Sequence, residues 1–309
     1  MAFGSAHPRA RLLAGLCLAV TAAGCGSLPT APGRDTAPPP AVAARPAELP
    51  GRAEQQERHE VAVPRAVPLR GPELAELARA WGLDAPPLPA PAPPAVKPVL
   101  REDGPHVRLQ GDGLPPLVRR VPTTDKVVFL TIDDGREKDR RFNRMMRELG
   151  VPFSAFVSGY LAREDYGYFR ELNEQGVRVN NHTLNHKDLR RLGYQRQHEE
   201  ICGQEDELVR EVGPRPALFR PPYGEFTADT LRAAASCGVT AMPLWNEEAF
   251  PDRMEYRHLD QRLHPGDIIL THFRGPEEWK GSMTDLARLV IRTATEQGFA
   301  LARLDDYLG

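Results

Sequence analysis

Residues 126–135 read "KVVFLTIDDG". Val127 to Ile132 is an unbroken β-branched and apolar run, the pattern of a strand buried on both faces. Asp133 and Asp134 end the run, and Gly135 lets the chain turn sharply. Downstream the pattern alternates. A charged helical stretch, "EKDRRFNRMMRELG", stops at Gly150, and "VPFSAFVS" follows as a strand. "DYGYFRELNEQG" is helical to Gly176, and "VRVNN" is extended. Residues 188–212 carry a long polar helical pattern, "ALF" precedes "RPPYG", and "TADTLRAAASCG" is helical. "VTAMPLW" and "DIILTHF" read as strands, and a last helix over 284–297 leads to "ALARL". Strand-then-helix units in succession predict an α/β fold with a parallel sheet under helical cover. Periodicity leaves two closures open, a barrel or an open doubly wound sheet.

Polar residues recur at the carboxyl ends of these strands. Asp133 and Asp134 follow the first, "HTLNH" (182–186) the third, "RPPYG" (220–224) the fourth and His272 the sixth. In parallel α/β architectures those ends gather on one face, where sites lie. Each motif alone has an ordinary reading. Asp-Asp-Gly is a turn, two histidines four apart are a solvated or capped turn, and a histidine ending an apolar strand is a core residue. Together, two carboxylates and two imidazoles make the ligand set of a zinc-type site. Three ligands plus water would complete it, with one carboxylate left over as a base.

In this order and at these separations, "TIDDG", "HTLNH", "RPPYG" and "LTH" resemble the NodB-type polysaccharide deacetylases, carbohydrate esterase family 4, over about residues 120–309. The resemblance implies a distorted (β/α) barrel with a divalent metal, zinc or else cobalt, on Asp134, His182 and His186. It implies Asp133 as general base, with Arg220 paired to it and lowering its pKa. Pro221, Pro222 and Tyr223 become a groove wall, and the Tyr223 N–H an oxyanion donor. Leu270 lines the acetyl pocket, and His272 is the general acid that an amine leaving group requires. Thr183 either sits near the metal or shapes the turn. One place departs from the family pattern. An Asp-Trp pair, whose Asp tunes the acid histidine, is missing from "PLWNEEAFPD" (243–252). Trp245, Glu247, Glu248 and Asp252 are the candidates to replace it, and Trp245 is either a sugar platform or core. "FRGPEEWKG" (273–281) reads as a loop carrying Arg274 and Trp279 over the site.

The activity so implied is metal-dependent hydrolysis of N-acetyl groups on an amino-sugar polysaccharide, peptidoglycan or chitin-like, by a monomeric chain. An O-acetyl xylan esterase using the same site is the alternative. A silent carbohydrate-binding lipoprotein on the same fold is a third reading.

The rest of the chain bears on address. Its net charge is -2 with both signs interspersed. Without a basic stripe or an aromatic RNA-binding motif, nucleic acid is excluded as a partner. Of the 31 prolines, 21 precede residue 117, in Ala/Pro-rich stretches that cannot bury enough apolar surface to order themselves. Arg9 and Arg11 precede "LLAGLCLAV" and then "TAAGCGS", which reads as a signal peptide over 1–24. That run is too short to span a membrane. Cys25 after Ala-Ala-Gly resembles a bacterial lipoprotein processing site, with Ala22 where Leu is usual; ordinary secretion with a nearby cut is the other reading. Either places the mature chain outside the cytoplasm, and lipidation of Cys25 would hold it at the outer face of the cell membrane. Residues 25–116 are expected as a mostly disordered tether, and 117–309 as the deacetylase domain. Within the tether, "GPELAELARAWGL" (71–83) has helical spacing and either packs on the domain or stays marginal. Cys202 and Cys237, in an oxidising compartment, are expected to pair; two separate buried thiols are the alternative.

Overall fold

The computed structural model describes residues 71–100, 107–108 and 111–308. The signal segment 1–24, Cys25 and the tether as far as residue 70 lie outside the described residues. After helix α1 (Gly71–Ala80) and two short strands, β1 (Val107–Arg108) and β2 (Leu117–Val118), the chain enters β3 (Val127–Asp134). All eight β3 residues are buried, as the apolar run requires. β3 pairs in parallel on one side with β4 (Ser154–Val157), and on the other with β9 (Ile268–His272) and, at its start, β10 (Ala300–Leu301). Between β3 and β4 runs α2 (Arg140–Glu148). Its first turn is capped by the Asp139 carboxylate, which accepts from the Arg141 and Phe142 N–H groups at 2.8 and 3.1 Å. Phe142, Met145 and Met146 on its inner face join one apolar core with Leu286, Val290 and Ile291 of α7 (Met283–Glu296).

The units continue as α3 (Gly159–Ala162), α4 (Tyr166–Glu174) and β5 (Arg178–Asn181), then α5 (Tyr194–Glu211) and α6 (Ala228–Ser236). β6 (Met242–Pro243), β7 (Glu247–Ala249) and β8 (Met254–Tyr256) precede β9. The main sheet runs β5-β4-β3-β9-β7-β8. Single parallel bridges, Asn181 to Phe219 and Leu218 to Ala241, carry the circuit on from β5 to residues 241–249. The far end of that segment is β7, which pairs with β9. The strands follow the order of a β/α barrel, but the ladders do not close: between β5 and residues 241–249 there are single bridges only, so the fold is α/β with an open side where the resemblance implied a distorted barrel. Three details differ from the sequence expectation. "ALF", bracketed by Pro216 and the Pro221–Pro222 pair, is reduced to those bridges, with the Leu218 N–H donating to the Asn180 side chain instead of a neighbouring strand. "VTAMPLW" yields only the two-residue β6. The polar segment after it forms an antiparallel hairpin, β7–β8, which alternation of apolar residues did not mark.

The domain also begins earlier than the expected boundary at 117. Ala78 and Leu83 are buried in the same core as α2 and α7, with Leu74, Leu77 and Trp81 packed on it. Trp81 Nε1 donates to Glu148 Oε2 at 2.9 Å, and the Arg141 and Arg144 guanidinium groups lie 5.8 and 5.9 Å from its ring. The amphipathic face of α1 is stabilised by this packing, which an isolated helix of its length lacks. Residues 84–100 carry no regular secondary structure, and Val96 and Val99 stand exposed. Among the described residues no helix is long and apolar enough to cross a membrane.

Cys202 on α5 and Cys237 at the end of α6 form a disulfide, with Cα atoms 5.1 Å apart across a sequence separation of 35. Closing a loop of that size restricts the unfolded chain by roughly 3–4 kcal/mol. The Cys202→Ala/Cys237→Ala double variant is therefore expected to lose about that much unfolding free energy in urea titrations.

Candidate active site

β3 delivers its two carboxylates by different routes. Thr131 and Asp133 share one face of the strand, while Asp134 leaves it with φ 78 and Gly135 follows with φ 97. A Cβ at position 135 would lie 2.9 Å from the Phe169 ring, so the turn needs glycine. Asp133 is the register partner of His272 on β9, and Leu270, two residues earlier, is buried beside Thr131.

Arg220 occupies the interior next to them and is wholly buried. Its Nη1 donates to Asp133 Oδ1 at 2.7 Å and to Thr131 Oγ1 at 2.9 Å. Nε donates to the Pro243 carbonyl at 2.9 Å and Nη2 to the Leu244 carbonyl at 3.2 Å. The pairing of Arg220 with Asp133 is as expected, but its net effect on Asp133 is not. Burial pushes the Asp133 carboxyl above its usual range, and Arg220 and His272 pull it only part of the way back. A carboxylate so raised is the stronger base.

"HTLNH" is neither helix nor free turn. Thr183 (φ 70) and His186 (φ 51) are both in the left-handed region. Asn181 Oδ1 accepts the Thr183 N–H at 2.8 Å, and Thr183 Oγ1 accepts the His186 N–H at 3.0 Å. Thr183 thus shapes the turn that brings both rings to Asp134. His182 Nε2 lies 3.8 Å and His186 Nε2 3.3 Å from Asp134 Oδ1. Ligand atoms of these three residues all lie within 4.8 Å of one another. Tetrahedral zinc holds its ligand atoms about 3.4 Å apart. His182 Nδ1 donates to the Arg220 carbonyl at 2.7 Å; since a carbonyl only accepts, the lone pair sits on Nε2, facing Asp134. Donor types, spacing and tautomer all fit a divalent metal of the zinc class.

Charge is consistent with this. Burial pushes His182 down to about 4 against the pull of Asp134, and burial and His182 push His186 down to about 4. Burial opposes ionisation of Asp134, but His182, His272, His186 and Arg274 together hold it below the usual carboxylate range.

The wall and rim residues fall as follows. Pro222 is buried, while Tyr223 (φ 63) is 62% exposed with its ring 4.8 Å from that of His186. Trp245 is half-buried against both neighbouring cores, with Gly224 so close that a Cβ there would lie 2.8 Å from its ring. Arg274 Nη2 reaches Asp134 Oδ2 at 3.3 Å, and Trp279 stands edge-on to His272 at 6.3 Å, so the 273–281 loop does cover the site. Of the four candidates behind His272, Glu248 is the one at hand, its Oε1 3.8 Å from His272 Nδ1. Glu247, next to it on β7, points to the opposite face, and Asp252 pairs with Arg253 at 3.1 Å.

Sequence reasoning missed the support behind the histidine loop. Asn181 Nδ2 donates to Glu205 Oε1 at 2.8 Å, and Gln204 Nε2 to the Val157 carbonyl at 2.9 Å. Both α5 residues are fully buried, and burial raises Glu205 to about 7. Their helix reads as a polar, solvated one, so no local signal marks them.

Architecture and site together define an α/β fold of the carbohydrate esterase family 4 type. The chain belongs to the polysaccharide deacetylase family, whose pattern matches residues 120–242. It is 40% identical over 200 residues to an uncharacterized protein of Streptomyces coelicolor, covering 64% of this chain and 80% of that one. It is 30% identical over 168 residues to a chitooligosaccharide deacetylase of Bradyrhizobium, covering 51% and 75%. Among solved structures, a family 4 pseudoenzyme from Bacillus anthracis superposes with TM-score 0.54 at 20% identity, covering 62% and 69%.

Two outcomes follow from the burial. Arg220→Met should cost roughly 3–5 kcal/mol of stability by leaving Asp133 buried without its cation, read by chemical unfolding. In chelated protein, His182 and His186 carry folded pKa values depressed to about 4. Their contribution is therefore full above the unfolded value, about 6.5, and is lost as pH falls towards 4. Urea titrations at pH 7 and 5 should show that loss, and His182→Asn should reduce it.

Proposed function

We propose that this chain is a metal-dependent hydrolase that removes N-acetyl groups from an amino-sugar polysaccharide, with peptidoglycan ahead of chitin-like polymers. The observation that carries the reading is the register of Asp133 with His272 beside the Asp134–His182–His186 cluster. It sets a base and an acid on neighbouring strands at one metal-ready pocket. Zinc held by Asp134, His182 and His186 would polarise the acetyl carbonyl and acidify a water. Arg220 occupies Oδ1 of Asp133, leaving Oδ2, 3.7 Å from His182 Nε2, to take the proton as water attacks the carbonyl carbon. His272 then protonates the sugar nitrogen as the C–N bond breaks, so that free amine and acetate leave. The Tyr223 N–H serves the developing oxyanion, Leu270 lines the acetyl methyl's pocket, and Pro222 and Trp245 flank the sugar. Glu248 takes the place of the family's Asp behind His272.

Peptidoglycan comes first because a lipidated Cys25 would hold the domain, as a monomer, at the outer face of a bacterial membrane. The 3.8 Å gap between Glu248 and His272 Nδ1 is longer than a hydrogen bond and favours a second reading. An O-acetyl ester, such as acetylxylan, has an alcohol leaving group that needs less help from the acid. Acetate release from N-acetylated peptidoglycan, chitooligosaccharides and acetylxylan decides between them. Zinc-dependent acetate from the amino sugars is expected, reduced about 10²–10⁴-fold by Asp133→Asn or His272→Ala and lost with His182→Ala. Acetate from xylan alone would establish the esterase instead, and none from any polymer would overturn both.

A further inference from the structure

Each of the two site aspartates has one oxygen held by an arginine. Asp133 gives Oδ1 to Arg220 and turns Oδ2 towards His182. Asp134 is arranged in the same way. Its Oδ1 faces the two imidazoles, 3.3 Å from His186 Nε2 and 3.8 Å from His182 Nε2, and its Oδ2 accepts from Arg274 Nη2 at 3.3 Å.

Arg274 is not a loose surface cation. It follows Phe273, which is wholly buried. The Phe273 N–H donates to the Asp133 carbonyl, and the Phe273 carbonyl receives the Glu137 N–H, both at 2.9 Å. The Phe273 ring stands edge-on to Tyr168 and Phe169, at 6.2 and 5.9 Å. The backbone that carries Arg274 is thus fixed to the turn that carries Asp134. The side chain is held from its far side as well. Glu278 Oε2 lies 3.4 Å from Arg274 Nε, and Glu278 Oε1 lies 2.9 Å from Arg136 Nε. Arg136 follows Gly135 in the same turn. These partly exposed pairs add little stability by themselves. With Asp134 they form a chain, Asp134–Arg274–Glu278–Arg136, that begins and ends on one turn and fixes the direction of the guanidinium.

A carboxylate gives a metal one oxygen or two. Two oxygens raise the coordination number and suit large ions, whereas one suits a tetrahedral ion and keeps a position open for water. A guanidinium on Oδ2 opposes the two-oxygen mode. Its N–H occupies a lone pair of that oxygen, and its charge repels a cation moved towards it. We propose that Arg274 is a positioning residue that confines Asp134 to one-oxygen ligation and so sets the preference of the site for divalent ions of the zinc class. This rests on the reading of Asp134, His182 and His186 as metal ligands, and it requires none of the contacts above to break.

The test uses the full chain, stripped with chelator and loaded with cobalt, zinc or manganese. All three ions are divalent, so replacing Arg274 changes their charge repulsion alike, and the ratio of two affinities isolates the coordination. In Arg274→Met the visible absorption of bound cobalt should weaken, because those bands lose intensity as coordination number rises. The ratio of the manganese to the zinc dissociation constant should fall about tenfold. Arg274→Lys, which keeps the charge and a donor, should stay closer to wild type. Glu278→Gln, at a partly exposed position, should move both readouts the same way by less, and it answers the question even if Arg274→Met does not fold. Cobalt absorption and affinity ratio unchanged in Arg274→Met would overturn the inference and leave the metal site and deacetylation standing. Both shifts present, with no acetate released from any polymer, would uphold it and count against deacetylation alone.

Discussion

Arg220 is the residue through which the parts of the candidate site reach one another. Its buried guanidinium spans the interior, with the carbonyls of Pro243 and Leu244 on one side and Thr131 and Asp133 on the other. It also lies 4.4 Å over the Phe156 ring of β4. Its main chain does as much. The Arg220 N–H donates to the Asn181 carbonyl at 3.0 Å, and its carbonyl receives His182 Nδ1 at 2.7 Å. One residue thus orients the proposed base by its side chain and a proposed metal ligand by its backbone. A charge in such a place is tolerable only when it is paired and hydrogen-bonded, and four of the five guanidinium N–H donors are used here. The planar fork of arginine meets four acceptors at once, which an ammonium on a flexible stem cannot match in geometry.

Backbone strain gathers at the same place. Of the five non-glycine residues with positive φ among the described residues, Asp134, Thr183, His186 and Tyr223 belong to the site. Each such conformation costs of order 1–3 kcal/mol and persists only where the surroundings over-determine it. Here the surroundings are visible. Asn181 and Thr183 cap the histidine turn, Ser158 N–H holds the Asp134 carbonyl at 3.0 Å, and Glu205 anchors Asn181 from behind. The fold is poorest in backbone hydrogen bonds between β5 and residues 241–249, where Arg220 and the Cys202–Cys237 disulfide add their ties. Side-chain and covalent links stand in for a ladder that the proline-rich sequence there does not form.

The chemistry-bearing residues and their order were legible because a buried parallel strand has a plain signature and can end in polar groups on one side of the fold only. "VVFLTI" announces β3, and the aspartates that end it cannot lie anywhere but at its carboxyl end. The same reasoning placed His272 after "DIILT". It did not reach strands that are two residues long, such as β6, or a hairpin made of "EEA" and "MEY", whose burial comes from their neighbours.

Local pattern, then, set Asp133, Asp134, His182, His186, Arg220 and His272 on one face, and the family resemblance gave them their expected roles. Which atoms meet was decided elsewhere. That Glu248 and not Glu247 stands by His272 depends on strand parity once β7 has paired with β9. The direction of the His182 lone pair depends on a carbonyl 38 residues away. That burial outweighs Arg220 at Asp133, and that Gln204 and Glu205 are buried at all, follows from packing alone. Periodicity along a chain reports which face of an element is apolar. It carries no information about a polar face buried against another polar face, since that contact exists only between elements distant in sequence.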